Sequence, residues 1–308
     1  MRRLSALLAL ALLLLFSGCE LFESIPKPRV HLVSLAFNYY GEASLRGPVN
    51  DQECIYRAFR AMYDSRGYEF SATLLNDNGH RLERKRFAAG TETDTVLAAS
   101  AQSCHNVFST LLPQILDEED IEDGDITIFF YSGHGEDDSG DLIGPDVSEN
   151  LSPDELFSLI SALPGYKLMI VDACFSGRHS FSEEQNSSVA EAYSSLFSNS
   201  SPSLSYTWGV FASQDNEYSA EFNADEALES LGWLRPHGAF TASILMHLGM
   251  DMSTESISVP NRAITAEGIF NAALRALDDN STVLGVSVEH TPSESSNFFD
   301  LVLFSPDI

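Results

Sequence analysis

From Val30 to Phe37 the chain is a β-rich apolar run of strand length, and from Asp51 to Asp64 the residues Ile55, Phe59 and Met62 recur at helical spacing. This predicts a strand followed by a helix. Tyr68 to Leu75 reads as a second strand stopped by the turn cluster Asn76-Asp77-Asn78-Gly79, and Thr95 to Leu116 as mostly helical. Ile126 to Tyr131 is almost wholly apolar, as a strand covered on both faces would be. Ser152-Pro153-Asp154-Glu155 opens the next helix with an N-cap, a proline at N1 and a Glu at N3. Leu156, Leu159, Ile160 and Leu163 form its buried stripe, and Pro164-Gly165 ends it. Leu168 to Val171 and Trp208 to Ala212 are further strands, Ala239 to Met250 and Thr265 to Leu277 helices, and Phe298 to Phe304 a closing strand. There is no internal repeat. The alternation predicts one α/β domain over residues 29–308, with a mainly parallel central sheet and helices on both faces. Such sheets place their sites beyond the carboxyl ends of the strands.

The N-terminal pattern is that of an address. Met1-Arg2-Arg3, an apolar run from Leu4 to Phe16 broken only by Ser5, and Ser17-Gly18 before Cys19 make residues 1–18 a secretory signal. The run is shorter than the ~20 residues a spanning helix needs. Phe16-Ser17-Gly18-Cys19 resembles the lipobox of bacterial lipoproteins, with Phe16 where Leu is usual. The resemblance implies export and acylation of Cys19, which would anchor the protein to a bacterial membrane facing periplasm or exterior. Ordinary signal cleavage is the alternative. Residues 19–28, with two prolines and mixed charge, read as a tether. Of the four cysteines, the three after Cys19 cannot all pair within one chain, so at least one thiol stays free.

Composition narrows the partners. With 17 Lys+Arg against 45 Asp+Glu the formal charge is −28, and removing residues 1–18 deletes two arginines and no acids, which takes it to −30. A chain that is 44% hydrophobic builds a core in spite of that charge. So acidic a surface repels phosphate backbones, which argues against nucleic acid and for cationic or neutral ligands.

Two strand ends carry chemistry. Tyr131-Ser132-Gly133-His134-Gly135 follows the third strand and Asp172-Ala173-Cys174-Phe175-Ser176-Gly177 the fourth, which places a His and a Cys at one edge of the sheet. A thiolate attacks carbonyls far better than a thiol, and a nearby imidazole activates it and later protonates the leaving group. Flanking glycines let backbone approach a substrate and offer N–H groups to an oxyanion. Singly, a structural His or an inert buried Cys is the plainer reading. Jointly, at consecutive strand ends, they point to catalysis.

Strand-Ser-Gly-His-Gly followed some forty residues later by strand-Asp-Ala-Cys-Phe-Ser-Gly resembles the caspase-like cysteine peptidases, specifically the metacaspase branch of bacteria, plants, fungi and protists. Asn38-Tyr39-Tyr40 with Leu45-Arg46-Gly47-Pro48-Val49-Asn50-Asp51 is similar to the family's first strand-to-helix junction. Ala212-Ser213-Gln214, Glu217-Tyr218-Ser219-Ala220-Glu221 and His237-Gly238-Ala239-Phe240-Thr241 are similar to its later landmarks, so the resemblance covers roughly residues 30–250. It implies the caspase-like fold, with Cys174 as nucleophile and His134 as general base and acid. The backbone N–H groups of Gly135 and Cys174 would form the oxyanion hole.

The resemblance also places Asp51, Ser132 and Asp172 in the pocket for the residue before the scissile bond. Two carboxylates there imply a cysteine endopeptidase acting on proteins or peptides after Arg or Lys, with Arg able to pair bidentately. The plainer roles are that Asp51 favours the helix start through the dipole and that Asp172 braces the catalytic turn. Pro48 stands where metacaspases often carry Cys, and Phe175 where eukaryotic members commonly have His.

Many relatives cut themselves after basic residues in the loop following the catalytic Cys. Between Arg178 and Arg235 this chain has neither Lys nor Arg, so the Ser-rich stretch from Ser180 to Thr207 is expected to stay intact. The mature enzyme is then a single chain unless Arg178 itself is cut. The chemistry needs no cofactor, but relatives are often calcium-activated, and acids at Asp117 to Asp125, Glu136 to Asp141 and Asp146 offer the oxygen ligands Ca2+ prefers. No ligand set stands out among them. His179 reads as incidental. Cys54 and Cys104 fall in predicted helices, as free thiols or as a disulfide. Two other functional readings stay open: a catalytically silent relative serving as a surface binding module, and an active peptidase of different specificity.

Overall fold

All seven residues of β1 (Val30–Ala36) are buried, as a strand covered on both faces requires. The structure, a computed structural model, describes residues 27–41, 44–88, 90–137, 139–174, 176, 206–213, 217–222, 225–277, 284, 292–295 and 300–306. The signal segment 1–18, Cys19, most of the tether, Phe175, Arg178, His179 and residues 180–205 of the Ser-rich stretch lie outside the described residues.

After β1 come α1 (Pro48–Asp64), β2 (Phe70–Asn76) and a hairpin of β3 (Leu82–Ala88) and β4 (Thr91–Ala98). A π-helical turn, Val107–Leu111, runs into α2 (Leu112–Glu118). Then follow β5 (Ile126–Ser132), the short ribbon β6 (Leu142–Ile143) and β7 (Asn150–Leu151), α3 (Pro153–Ser161), β8 (Tyr166–Asp172) and β9 (Thr207–Phe211). The last part holds β10 (Glu221–Phe222), α4 (Asp225–Leu231), β11 (His237–Gly238), α5 (Ala239–His247), β12 (Met250–Asp251) and β13 (Ser256–Ile257). It closes with β14 (Ile264–Thr265), α6 (Ala266–Ala276), β15 (Ser293–Ser295) and β16 (Val302–Phe304).

Among the described residues the main sheet has eight strands in the order β15-β9-β8-β5-β1-β2-β3-β4. Its five central strands, β9 to β2, are parallel, and the others add antiparallel edges. The strand period of two sorts the core into two layers. Val30, Leu32, Ile128, Phe130, Leu168 and Ile170 pack under α1, α5 and α6. Val33, Leu35, Phe129, Tyr131, Met169 and Val171 pack on the other face against α2 and α3. The expected mainly parallel sheet with helices on both faces is present.

The start of α3 is the expected capping box, with Ser152 and Glu155 exchanging side-chain-to-backbone hydrogen bonds. Two expectations need correction. The stretch from Thr95 to Leu116 does not start as a helix: Thr95–Ala98 completes β4, a 3-10 turn covers Ala101–Ser103, and continuous helix begins only at Val107. Alternate β-branched residues at Thr91, Thr93 and Thr95 pair with β3, which outweighs the helix-like spacing beyond them. Cys104 accordingly follows a 3-10 turn, Ala101–Ser103, instead of lying within a helix. The expected closing strand is present as β16, which pairs antiparallel with β14, while β15 takes the edge of the main sheet. Among the described residues no helix is long and apolar enough to cross a membrane.

Candidate active site

β1, β5 and β8 end in register at Ala36, Ser132 and Asp172, so the loops that follow bring Tyr39, His134 and Cys174 to one rim of the sheet. The Gly133 N–H donates to the Asp172 carbonyl at 3.1 Å, and a Cβ at Gly135 would overlap the Cys174 carbonyl oxygen. The His and Cys loops therefore touch through their backbones, an approach that only glycine at 135 permits.

His134, Cys174, Asp51, Ser132 and Asp172 line a single pocket of about 100 Å³. Leu45, Pro48, Ser219, Glu221 and Gly238 are among its other walls. The five side chains singled out in the sequence thus converge, and Gly135 abuts them through Cys174.

Asp51 sits in the first turn of α1 and is fully buried. Its Oδ2 accepts from Ser132 Oγ at 3.0 Å and from the Gly238 N–H at 3.2 Å, while Oδ1 faces His237 Nδ1 at 2.8 Å. Burial pushes its carboxyl up to about 7, against the opposing pull of His237 and the Gly238 N–H. Asp172 ends β8 and has partners on two other segments. Ser219 Oγ donates to Oδ1 at 2.9 Å, and the Thr241 N–H and Oγ1 donate to Oδ2 at 3.1 and 2.6 Å. The Asp172 carboxylate thus lines the pocket while tying the end of β8 to Ser219 and Thr241.

The Cys174 Sγ lies 4.0 Å from the Ser219 carbonyl oxygen. Burial pushes the thiol pKa up, and the nearby Asp172 and Asp137 add to the rise. A thiol held protonated at rest needs a base at the moment of attack. His134 lines the same pocket, its ring set against the ring of Tyr39 with centroids 4.5 Å apart.

Cys54 and Cys104 are free thiols and do not pair. Ligand atoms of Cys54, His237 and Glu255 come within 4.8 Å of one another, a spacing that invites a metal. Arg235 already fills the cation's place: its guanidinium donates to both Glu255 oxygens at 2.6 Å and lies 3.5 Å from Cys54 Sγ. Burial also pushes Cys54 up to about 12, so it stays a thiol and a poor ligand. Of the acids between 117 and 125, Glu118, Glu119 and Asp125 already have protein partners, and Glu119 and Asp125 flank the same imidazole, His31. Glu118 pairs with Arg84, Glu119 contacts His31, and Asp125 pairs with Arg29. Asp146 is bound by Ser148 and His105.

Sequence reasoning assigned no role to Tyr39, Ser219, Glu221, His237 or Thr241, although all lie in the matching segments. Glu221 accepts from the Arg46 and Gly47 N–H groups across the pocket. It reaches His237-Gly238 through the β10–β11 pairing, a contact that no local pattern encodes.

A mainly parallel α/β sheet with a His loop and a Cys loop on adjacent strand ends is the architecture of a caspase-like cysteine peptidase domain. The chain matches the caspase domain over residues 33–284 and belongs to that peptidase family. No curated protein gives a significant match.

Proposed function

We propose that the protein is an active cysteine endopeptidase of the metacaspase type that cleaves after Arg or Lys, held on a bacterial membrane by lipid at Cys19. The observation that carries the specificity is the convergence of the Asp51 and Asp172 carboxylates in the pocket shared with Cys174 and His134. A cationic side chain entering that pocket meets charge-assisted hydrogen-bond acceptors.

In the reaction His134 takes the Cys174 thiol proton as sulfur bonds to the substrate carbonyl carbon. The Gly135 and Cys174 N–H groups receive the developing oxyanion. Collapse breaks the C–N bond, and His134 returns the proton to the leaving amine. Water, deprotonated by His134, then attacks the thioester, which releases the new carboxyl group and restores the thiol.

Fluorogenic peptides ending in Arg, Lys, Asp or Asn, assayed with and without calcium beside Cys174→Ala, test this reading. Turnover of Arg and Lys peptides, absent in Cys174→Ala, is expected. Turnover of Asp peptides alone would overturn the pocket assignment, and activity surviving Cys174→Ala would overturn the nucleophile. No turnover under any condition would favour a silent binding module. Cys19→Ala should move the protein from the membrane to the soluble fraction; an unchanged distribution would exclude the lipid anchor.

A further inference from the structure

Tyr39 is a non-glycine residue at φ 54°. That left-handed conformation is unfavourable for an L side chain and persists only where its surroundings hold it. The holder is Asp77, buried just beyond the end of β2. Its Oδ1 accepts from the Asn38 N–H and its Oδ2 from the Tyr39 N–H, both at 2.8 Å.

The turn so fixed carries the Tyr39 ring onto the His134 imidazole, with centroids 4.5 Å apart and planes 36° apart. The Tyr39 hydroxyl accepts from the His134 N–H at 3.1 Å and donates to the Ile143 carbonyl at 2.7 Å. It also lies 2.9 Å from the Tyr131 hydroxyl, which reaches the His134 carbonyl at 2.9 Å. Burial pushes both phenols well up, so they remain neutral hydrogen-bonding groups. Two hydroxyls thus hold both backbone groups of His134, and one aromatic face lies against its ring.

We infer that Tyr39, locked in place by Asp77, is the positioning residue for His134: its hydroxyl fixes the backbone, and its ring orients the imidazole. The inference rests on the reading of His134 as the base for Cys174, but not on the Arg or Lys preference. The other titratable groups lining the pocket with His134 are Cys174, Asp172, Asp51 and Glu221, and none is altered in the Tyr39 and Asp77 variants below.

The test is the rate of Cys174 alkylation by iodoacetamide against pH, read by peptide mass spectrometry on the full chain, together with Arg-peptide turnover. Wild type, Tyr39→Phe, Tyr39→Leu, Asp77→Asn and His134→Ala are compared. Tyr39→Leu should lower kcat about 100-fold with KM little changed, as a misplaced catalytic group does. It should slow alkylation at neutral pH. Tyr39→Phe keeps the ring and should keep most of the alkylation rate, with a smaller loss of kcat. Asp77→Asn should fall between the two, and it decides the matter if Tyr39→Leu does not fold.

Wild-type alkylation and wild-type kcat in folded Tyr39→Leu, with His134→Ala impaired, would overturn the positioning role and leave the dyad standing. A loss expressed in KM with kcat unchanged would overturn it equally. Wild-type alkylation in His134→Ala would show that the dyad reading itself has failed.

Discussion

Asp51 and His237 share a 2.8 Å hydrogen bond between side chains that are both buried, one reached from α1 and the other from β11. Among the described residues the other ring nitrogen, Nε2, has no partner. Burial holds the Asp51 carboxyl up at about 7, so the pocket gains a negative charge as pH rises through neutrality. Cleavage after Arg should therefore rise across that range. Asp51→Asn should flatten the rise and lower kcat/KM about 100-fold, the worth of one hydrogen bond to a charged group.

The same shift makes a stability prediction of opposite sign. A carboxyl whose folded pKa is above its unfolded value holds its proton more tightly when folded. Its stabilisation is complete below the unfolded pKa near 4 and is lost as pH rises through about 7. Asp51→Asn lacks that loss. The margin by which its Tm exceeds wild type should widen from acid to neutral pH and then level off. A margin independent of pH in a melting series would refute the link.

Gly238 marks where the pocket acids meet. A Cβ there would overlap the Asp172 carboxylate and stand 3.3 Å from Asp51 Oδ2. Gly238→Ala should therefore displace the acids while leaving the dyad. Kinetics should show kcat/KM for Arg peptides reduced about 100-fold, a misplacement effect, with alkylation of Cys174 by iodoacetamide close to wild type.

The central strands were legible because burial on both faces leaves near-continuous apolar runs such as Ile126 to Tyr131. The β3–β4 hairpin was not, because Glu83-Arg84-Lys85-Arg86 is only half-buried and offers no apolar alternation. His134 and Cys174 were legible from their glycine context at strand ends. His237 was not, since its partner Asp51 lies 186 residues away. Tyr39 read as one residue of a matching segment, and only its φ and its ring contact show what it touches.

The charge surplus should act on arrival and not on chemistry. Exposed acids attract a cationic peptide over a Debye length of about 10 Å at 0.1 M salt. Asp51 and Asp172 are buried and far less screened. Raising the salt from about 0.02 to 0.5 M should thus lower kcat/KM for Arg peptides several-fold, with kcat nearly constant. Stopped-flow or steady-state kinetics with a neutral-flanked and an Arg-flanked peptide would separate this from a general salt effect, which would depress both.

At the end of β1 away from the site, His31 lies buried between Glu119 at 3.4 Å and Asp125 at 3.3 Å. Burial alone would raise both carboxyls. Hydrogen bonds from His31, Thr73 and Ser71 to Glu119, and from Arg29 to Asp125, outweigh it and hold both below the ordinary carboxylate range. Their stabilisation is therefore present above the unfolded values near 4 and is lost as pH falls through the lower folded ones. Glu119→Ala removes one side of this buried network and should cost about 3 kcal/mol at neutral pH. Because the network ties β1 and β2 to the end of α2 and not to the catalytic rim, kcat at low temperature should be unchanged. Denaturant titrations from neutral to acid pH should show the gap between wild type and Glu119→Ala closing below about pH 4, where the wild-type carboxyls also become protonated.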